Sequence, residues 1–338
     1  MILDAPRAMR ITADLLAYAD HNSDPATKTH QLIGAQIWHA FRALGYREGL
    51  VLGAGDGTAP LLEIPDVANA RSASLVADLG ASHRLRRPVT DLPAWAGTEN
   101  FDIVITTLPG YDVRLTYGPN IIRRRADQLT AALVALQLTR EGGLAALFAS
   151  HDLMDNPVPY ERRQIAELAD LIGAVRLPAG THRRATGTDE VADLLLFRRR
   201  PPGEPPRGPE FEHAPEVYLD GETVTINTYF DTNIDQVLGA LQYDPTGVPP
   251  MNLTVTGRPN QFAPALADRM DHLINTGRRH GLTLTTRVRG TGLAVSIDDL
   301  RGHQPTIRRL RRHDAAGAEG LGRNRSPRDL AGPSIEQP

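Results

Sequence analysis

The sequence predicts an α/β protein built on a doubly wound, mostly parallel sheet, followed by a small C-terminal α+β unit and a disordered tail. Amphipathic and β-branched segments alternate along the first 200 residues, which is the pattern of that sheet. The run Asp102–Ile105 has the β-branched composition of a buried strand and halts at Pro109 and Gly110, which cannot extend a ladder. Because open α/β sheets bind ligands just beyond their strands, the residues after this run are site candidates.

The elements follow in order. A helix is predicted over Thr29–Leu44, where apolar residues recur every three or four positions and Gly45 ends the helix. A strand before Gly53 and a second strand ending at Asp78 precede the run at Asp102–Ile105. The remaining pattern predicts helices over 120–138 and 161–171 and strands over 144–148, 174–177 and 191–197, which gives a sheet of roughly six or seven strands.

Composition bounds the domain number and the chemistry. A chain of 338 residues with 41% hydrophobic residues suits two soluble domains. No apolar run is long enough for a membrane helix and no secretory signal is evident, so a cytoplasmic location is expected. The absence of cysteine excludes disulfides, thiolate zinc sites and a cysteine nucleophile. Arginines cluster near residues 84–87, 123–125, 183–184, 198–200 and 308–312, either as basic patches for a polyanion or as solvated helix faces.

Proline content marks the predicted domain boundaries. Residues 1–48 form the N-terminal helical part, 49–200 the core, and 201–215 a stiff proline-rich linker. Residues 216–295 form the small α+β unit, with strands at 216–227 and 253–256 and helices near 232–241 and 264–281, the second opening on Pro264. Residues 296–338 are rich in Arg, Gly and Pro and are expected to be a disordered basic tail.

A nucleotide-type cofactor site is indicated after the first strand. Gly53, Gly55 and Gly57 permit the tight turn that lets backbone approach a ligand, and Asp78 stands where such folds set a carboxylate against ribose hydroxyls. Asp91 is a further candidate, placed beside an adenine ring. The alternatives are a flexible loop for the glycines and a turn or helix cap for Asp78.

Several stretches resemble the adenine-specific (N6) DNA methyltransferases, closest to the methyltransferase half of methyltransferase-helicase proteins of bacterial mobile elements. The resemblance spans about residues 25–290. It rests on the stretch Phe101–Leu115, around the point where the predicted strand stops, and on the stretches 138–144, 168–178 and 187–197. It implies a Rossmann-like methyltransferase fold, S-adenosyl-L-methionine as cofactor, and DNA as substrate. It also implies that Thr29 contacts the methionine end of the cofactor, although Thr29 equally suits a helix cap.

The catalytic motif departs from the family pattern. The family strand ends in Asn-x-Pro-Phe, whereas this chain has Thr107, Leu108, Pro109 and Gly110, with Tyr111 as the nearest aromatic residue. The acidic residue that usually precedes the glycine motif is also missing. The resemblance therefore implies a degenerate active site, in which Thr107 offers a hydroxyl, Leu108 a backbone carbonyl and Tyr111 a stacking ring.

The loop before the last strand is the candidate DNA contact. The resemblance places it near the target base, so Arg183, Arg184 and Thr188 are expected to touch phosphate or the extruded nucleotide, unless the loop is only a solvated connection. No phosphate-binding Gly-x-x-x-x-Gly-Lys-Ser/Thr motif is present, so a helicase would be a separate partner. Three functions stay open: a weak adenine-N6 DNA methyltransferase, an inactive DNA- or partner-binding module, and a small-molecule methyltransferase.

Overall fold

A computed structural model describes residues 24–54, 75–78, 101–108, 119–181, 190–247 and 252–286. All of these belong to the first of two compact units, Met1–Arg308. The second unit, Arg309–Pro338, lies outside the described residues, as does the whole predicted tail 296–338.

The elements up to the sheet's last strand alternate as predicted. They are α1 (Asp24–Ala43), β1 (Leu50–Ala54), β2 (Leu75–Asp78), β3 (Phe101–Thr107), α2 (Pro119–Leu138), β4 (Thr139–Ser150), α3 (Asp152–Asp155), α4 (Tyr160–Leu168), β5 (Ala169–Arg176) and β6 (Ala192–Arg199). The later elements are β7 (Glu216–Leu219), β8 (Glu222–Thr225), α5 (Thr228–Thr232), a 3₁₀ turn (Ile234–Gln236), β9 (Ala240–Tyr243), β10 (Leu253–Thr256) and α6 (Pro259–Arg279).

Six of the described strands form one sheet in the order β2-β1-β3-β4-β6-β5. β2, β1, β3 and β4 are parallel neighbours, whereas β6 pairs antiparallel with both β4 and β5. The chain order crosses over at β1 and β3, where neighbouring connections lead away in opposite directions. The prediction of a doubly wound sheet is confirmed.

Each face of the sheet is covered by a separate hydrophobic layer. On one face, α1 and α6 pack on side chains such as Ile105 and Phe148. On the other face, α2 and α4 pack on the alternate side chains, including Val104 and Leu147. Strands buried on both faces read as continuous apolar runs, which explains why β3 and β6 were predictable.

The predicted proline-rich linker joins parts of one packed structure. Residues 201–215 contain no helix or strand, and Phe211 within them is buried against Phe197 of β6. Side chains from beyond the segment, such as Leu266 and Met270 of α6, share a hydrophobic cluster with Ile33 of α1. The described part of residues 216–295 is therefore packed into the same compact unit as the sheet.

Some predicted boundaries were wrong. The predicted helix 161–171 ends at Leu168, because residues from Ala169 onward are buried in β5. Residues 232–241 are not a helix, because Asn227 caps a short helix from Thr228 and the chain enters β9 at Ala240.

Three further predictions also differ from the structure. The strand 216–227 is a hairpin of β7 and β8, and the last helix opens on Pro259 rather than Pro264. Leu32 is one of the apolar residues whose spacing along the helix 29–44 predicts a buried face, but it is 42% exposed.

The amino end of the sheet is closed by buried charge. Asp102 of β3 accepts a 2.5 Å hydrogen bond from Arg140 Nε, and Arg140 Nη2 donates at 2.5 Å to the carbonyl of Thr285. Arg198 Nε donates to the carbonyl of Thr283 at 3.0 Å. Arg198 is buried, so at least this part of the 198–200 arginine cluster is a structural contact and not a basic patch.

Gly49 is fitted against this charge cluster. Its φ of +142° is strained for any other residue, and a Cβ there would overlap the Asp102 carboxylate. We expect Gly49→Ala to lower the free energy of unfolding by about 3 kcal/mol or more, since it adds displacement of a buried ion pair to backbone strain. The matched control is Gly203→Ala, where φ is +81° but nothing lies within 4 Å, and about 1 to 2 kcal/mol should be lost. Equal losses in urea unfolding would contradict the clash.

Candidate functional site

The strand ends bring the first cofactor candidates together. Gly53 near the end of β1 pairs in register with Asp78, the last residue of β2, and with Ile105 of β3. Ala54 pairs with Thr106, so β1 and β2 stop while β3 continues. The glycine and the aspartate thus stand side by side at the carboxyl edge, where the sequence predicted them. Their binding of a cofactor stays a prediction.

Thr107 closes β3 at this same edge. It pairs with Phe148 of β4 and is 7% exposed. The backbone N–H of Leu108 donates to the carbonyl of Phe148 at 2.8 Å, which holds the strand beyond its last assigned residue. Since side chains alternate along a strand, Thr107 points to the α1 and α6 face with Ile105, and Leu108 to the opposite face. The side chains of the two predicted catalytic residues that the structure describes, Thr107 and Leu108, therefore lie on opposite faces.

Helix α1 brings Thr29 to the carboxyl edge. The short connection 44–49 reverses the chain between α1 and β1, so the N-terminal turns of α1 lie toward the carboxyl ends of the parallel strands. Thr29 is partly buried there, and the neighbouring His30 is buried. Because α1 covers the face that carries Thr107, these residues share one side of the sheet.

The other predicted site residues lie outside the described residues. They are Gly55, Gly57, Asp91, Pro109, Tyr111, Arg183, Arg184 and Thr188, together with the side chain of Asp78.

Two residues that the sequence analysis missed also lie at this edge. Ser150 ends β4, and its Oγ hydrogen-bonds Glu190 Oε1 just before β6. The backbone holds the pair, because His151 N–H donates to the carbonyl of Val191 at 3.2 Å and Gly180 N–H to the carbonyl of Glu190 at 3.3 Å. The sequence could have indicated each residue by its position next to a predicted strand. It could not show that they meet, because 40 residues separate the partners.

A buried charge cluster supports the edge from the α2 face. The guanidinium of Arg176 bonds Asp193 in bidentate fashion, with Nε and Nη2 each 2.8 Å from a carboxylate oxygen. Arg176 Nη1 lies 2.8 Å from Asp155 Oδ2, and His151 Nδ1 lies 3.1 Å from that same oxygen. The Arg176, Asp155 and Asp193 side chains are fully buried. The cluster therefore links the ends of β4, β5 and β6.

The pKa values of Asp155 and Asp193 shift in opposite directions beside Arg176. Burial opposes ionisation of Asp155, but Arg176 and His151 outweigh it and lower the pKa of Asp155 below its ordinary value. Burial dominates at Asp193 and raises its pKa despite the attraction of Arg176. Burial alone would lower the pKa of Arg176, yet Asp155 and Asp193 raise it, so the guanidinium stays charged.

Residues after the proline-rich segment complete the cluster. Asn227 N–H donates to Asp155 Oδ1 at 2.9 Å, and its side-chain amide donates to the carbonyl of Met154 at 2.8 Å. The Arg176 guanidinium carbon lies 4.1 Å from the ring centroid of Phe230, a cation–π contact. Arg162, also buried, donates to the carbonyls of Leu153, Asn156 and Glu212. The later part of the chain thus fixes α3, the turn that follows β4.

The described residues exclude two other kinds of site within their ranges. None of their helices combines the length and apolar character needed to cross a membrane. They contain no cluster of three or more His, Asp or Glu residues arranged to hold a metal ion.

Comparison with known proteins gives similarity to solved structures only. No family model matches the chain, and no curated protein does. A putative class I S-adenosylmethionine-dependent methyltransferase from Listeria monocytogenes is 12% identical with a TM-score of 0.36, over 52% of this chain and 61% of that one. A type I restriction-modification system component is 14% identical with a TM-score of 0.36, over 88% of this chain and 66% of that one.

A third solved structure is a 16S rRNA (adenine(1408)-N(1))-methyltransferase from Catenulisporales acidiphilia. It is 13% identical with a TM-score of 0.27, over 50% of this chain and 92% of that one. Similarities of this size do not bear on substrate. The strand order itself, with an antiparallel strand inserted beside a parallel edge strand, is that of a Rossmann-like methyltransferase fold, as the sequence predicted.

Removing the Arg176 guanidinium, which Asp155 and Asp193 share, should lower the free energy of unfolding. Arg176→Leu leaves two buried carboxylates without their cation, so we expect a loss of about 3 to 5 kcal/mol in the free energy of unfolding, or failure to fold. The matched control is Arg163→Leu, because Arg163 lies 3.6 Å from Glu212 in an exposed pair, and it should cost less than about 1 kcal/mol. Similar urea midpoints for the two variants would show that the buried cluster is not stabilising.

The two carboxylates should give opposite pH dependences. A lowered folded-state pKa means that Asp155 stabilises the protein above its unfolded pKa of about 4 and that this stabilisation fades as pH falls through the folded value. The cost of Asp155→Asn should therefore shrink in acid. A raised folded-state pKa means that Asp193 contributes stability below about pH 4 and loses it as pH rises, so the cost of Asp193→Asn should shrink toward neutral pH. Parallel pH profiles of unfolding would refute this assignment.

Proposed function

We propose that this protein is an S-adenosyl-L-methionine-dependent methyltransferase of the adenine-N6 DNA kind, with weak activity. The observation that carries the proposal is the carboxyl edge of the sheet: a glycine and an aspartate in register on β1 and β2, next to a strand that ends in Thr107. A ligand of open α/β sheets binds at such an edge where the strand order reverses. Location in the cytoplasm and a separate helicase partner belong to the proposal.

The cofactor assignment follows from the chemistry of this edge. Gly53 lets the backbone approach a ligand closely, and the carboxylate of the aspartate at position 78 suits two ribose hydroxyls. Thr29 adds a hydroxyl from the N-terminal part of α1, on the side that carries Thr107. S-adenosyl-L-methionine, when bound, supplies an electrophilic methyl group, and the residues of this chain have to position the acceptor.

The residues that would position the methyl acceptor explain why methyl transfer is expected to be weak. Thr107 presents one hydroxyl where an asparagine amide would supply a carbonyl acceptor, and it lies at a buried strand end paired with Phe148. Leu108 retains its backbone carbonyl, and its N–H is committed to β4. Base extrusion also needs an aromatic ring for stacking, a role that the proposal gives to Tyr111. DNA is the proposed substrate, with Arg183, Arg184 and Thr188 contacting it.

The same observation at Thr107 supports a second candidate, a protein that binds DNA or a partner on this fold without methyl transfer. Loss of the amide acceptor removes an interaction with the positioned base but leaves the cofactor edge of the sheet unchanged. The two candidates predict the same cofactor binding and differ in methyl transfer.

The test measures cofactor binding by calorimetry and transfer of labelled methyl groups to DNA. We expect the parent to bind S-adenosyl-L-methionine in the micromolar range or more weakly, and Asp78→Asn to weaken binding by about tenfold or more. Thr107→Asn combined with Gly110→Phe should raise transfer by on the order of a hundredfold, because it restores the amide and a stacking ring.

Each outcome of these measurements distinguishes between the two candidate functions or tests the cofactor assignment. No binding at millimolar cofactor would overturn the cofactor assignment. Binding without transfer in either protein would favour the second candidate. A parent as active as the double variant would show that Thr107 suffices and that the site is not weakened.

A further inference from the structure

We propose that Arg125 of α2 binds a backbone phosphate of the substrate DNA at the carboxyl edge of the sheet. The inference rests on the proposed function and deepens it by naming a DNA contact on a helix of the packed core. The observation behind it is a partly buried guanidinium that has no hydrogen bond or ion pair with any residue that the structure describes.

The course of the chain places Arg125 at that edge. α2 connects the parallel strands β3 and β4, so it starts at their carboxyl ends and runs back toward their amino ends. One turn after Arg125, Gln128 Nε2 donates at 3.4 Å to Oδ1 of Asp152, the second residue after β4. Arg125 is three residues closer to the helix start, which is roughly 4.5 Å further out along the helix axis. Helical side chains also tilt toward the N-terminus, so the Arg125 side chain is directed toward the carboxyl edge.

Arg125 lies on the inward side of α2. Residues three or four apart share one side of a helix, and Arg125, Gln128 and Ala132 follow at these spacings. Gln128 and Ala132 are buried, and Ala132 belongs to the hydrophobic cluster that also contains Leu108. Arg125 therefore stands at the outer end of a buried stripe, on the face of the sheet that carries the Leu108 side chain. This position explains why its Nε is buried while the residue as a whole is partly exposed.

The missing partner distinguishes Arg125 from the buried arginines of the described ranges. Those arginines donate to carboxylates or carbonyls, as Arg140 does to Asp102 and Arg198 to the carbonyl of Thr283. Shielding a donor from water without a hydrogen bond costs free energy, and a bound anion offsets that cost. A guanidinium suits phosphate in particular, because its planar fork donates two parallel charge-assisted hydrogen bonds to two phosphate oxygens.

The position favours a phosphate of DNA over the carboxylate of the cofactor. The cofactor contacts of the proposed function, Gly53 and Thr29, belong to β1 and to α1, whereas α2 covers the opposite face of the sheet. A DNA strand that brings a base to Thr107 passes the end of β3, from which the chain continues into α2. Contacts to phosphate position a strand and carry no sequence information. Arg125 is therefore a positioning residue for DNA.

The experiment measures the affinity for a short DNA duplex by fluorescence anisotropy between about 50 and 200 mM salt. Each phosphate contact that is lost makes the dependence of log affinity on log salt less steep by about 0.9. Arg125→Ala should show this change and should weaken binding by about tenfold at the lower salt concentration. Arg125→Lys keeps the charge without the planar fork, so it should retain the parent salt dependence with weaker binding.

The matched control is Arg279→Ala. Arg279 is an exposed arginine in the last turn of α6, and the chain just after it contacts the amino end of the sheet, where Thr285 N–H donates to the carbonyl of Gly142. The control removes the same charge at the end of the molecule opposite to Arg125. It should leave the parent salt dependence unchanged.

A role of Arg125 in folding would appear in the stability of the variant. Because Arg125 has no partner among the described residues, Arg125→Ala should unfold in urea at the parent midpoint or above it. A midpoint clearly below that of Arg279→Ala would show that Arg125 supports the fold and would overturn the inference.

Calorimetry with S-adenosylhomocysteine separates failure of the inference from failure of the proposed function. A parent that binds neither this compound nor DNA overturns both. A parent that binds the compound but no DNA at low salt overturns the inference and the DNA assignment, and the cofactor assignment stays in place. If the parent binds both and Arg125→Ala shows the same salt dependence as Arg279→Ala, the Arg125 inference alone is overturned.

Discussion

The structure depends on one buried arginine. Arg176 is fully buried together with Asp155 and Asp193, and an ion removed from water in this way is tolerated only when its donors are matched by acceptors. Two carboxylates lie against the guanidinium and balance its charge, and the Phe230 ring packs on it. These contacts fix the edge strand β5 against its antiparallel neighbour β6. They also hold α3, which follows β4, and the segment around Phe230. Four parts of the chain that are distant in sequence are thereby held to one position.

The two ends of the sheet use charge for different purposes. At the amino end, Asp102, Arg140 and the carbonyl of Thr285 form a closed set of contacts, and Gly49 is fitted against them with no space for a side chain. At the carboxyl end, the buried cluster lies on one face, while Thr107, Ser150 and Glu190 occupy the other face and the edge. The amino end thus carries a closed set of charged contacts, whereas the carboxyl end carries polar groups on both faces of the sheet.

The sequence predicts this fold in part, and the reasons are specific. β3 and β6 were recognised because strands buried on both faces read as uninterrupted apolar runs. The start of β5 was misassigned, because Ala169–Leu171 continue the apolar spacing of α4 and only burial within the sheet distinguishes them. The hairpin of β7 and β8 was taken for one strand, although Asp220 and Gly221 adopt positive φ and turn the chain. Local pattern therefore located the elements, and long-range packing set their limits.

The residues of the candidate site were predictable from local sequence patterns to an even smaller extent. Gly53, Asp78 and Thr107 could be placed at the sheet edge because each lies at the end of a recognisable strand, and their role in binding stays a prediction. The arginines were interpreted as surface charge, which is their usual place. Arg176 and Asp193 meet only because β5 and β6 pair antiparallel, and Ser150 meets Glu190 only because β6 lies beside β4. Local sequence patterns predict neither the pairing of β5 with β6 nor that of β6 with β4. The inserted antiparallel strand therefore does more than complete the sheet: by running against its neighbours it delivers its first residues, and the carboxylate just before them, to the edge where the parallel strands end.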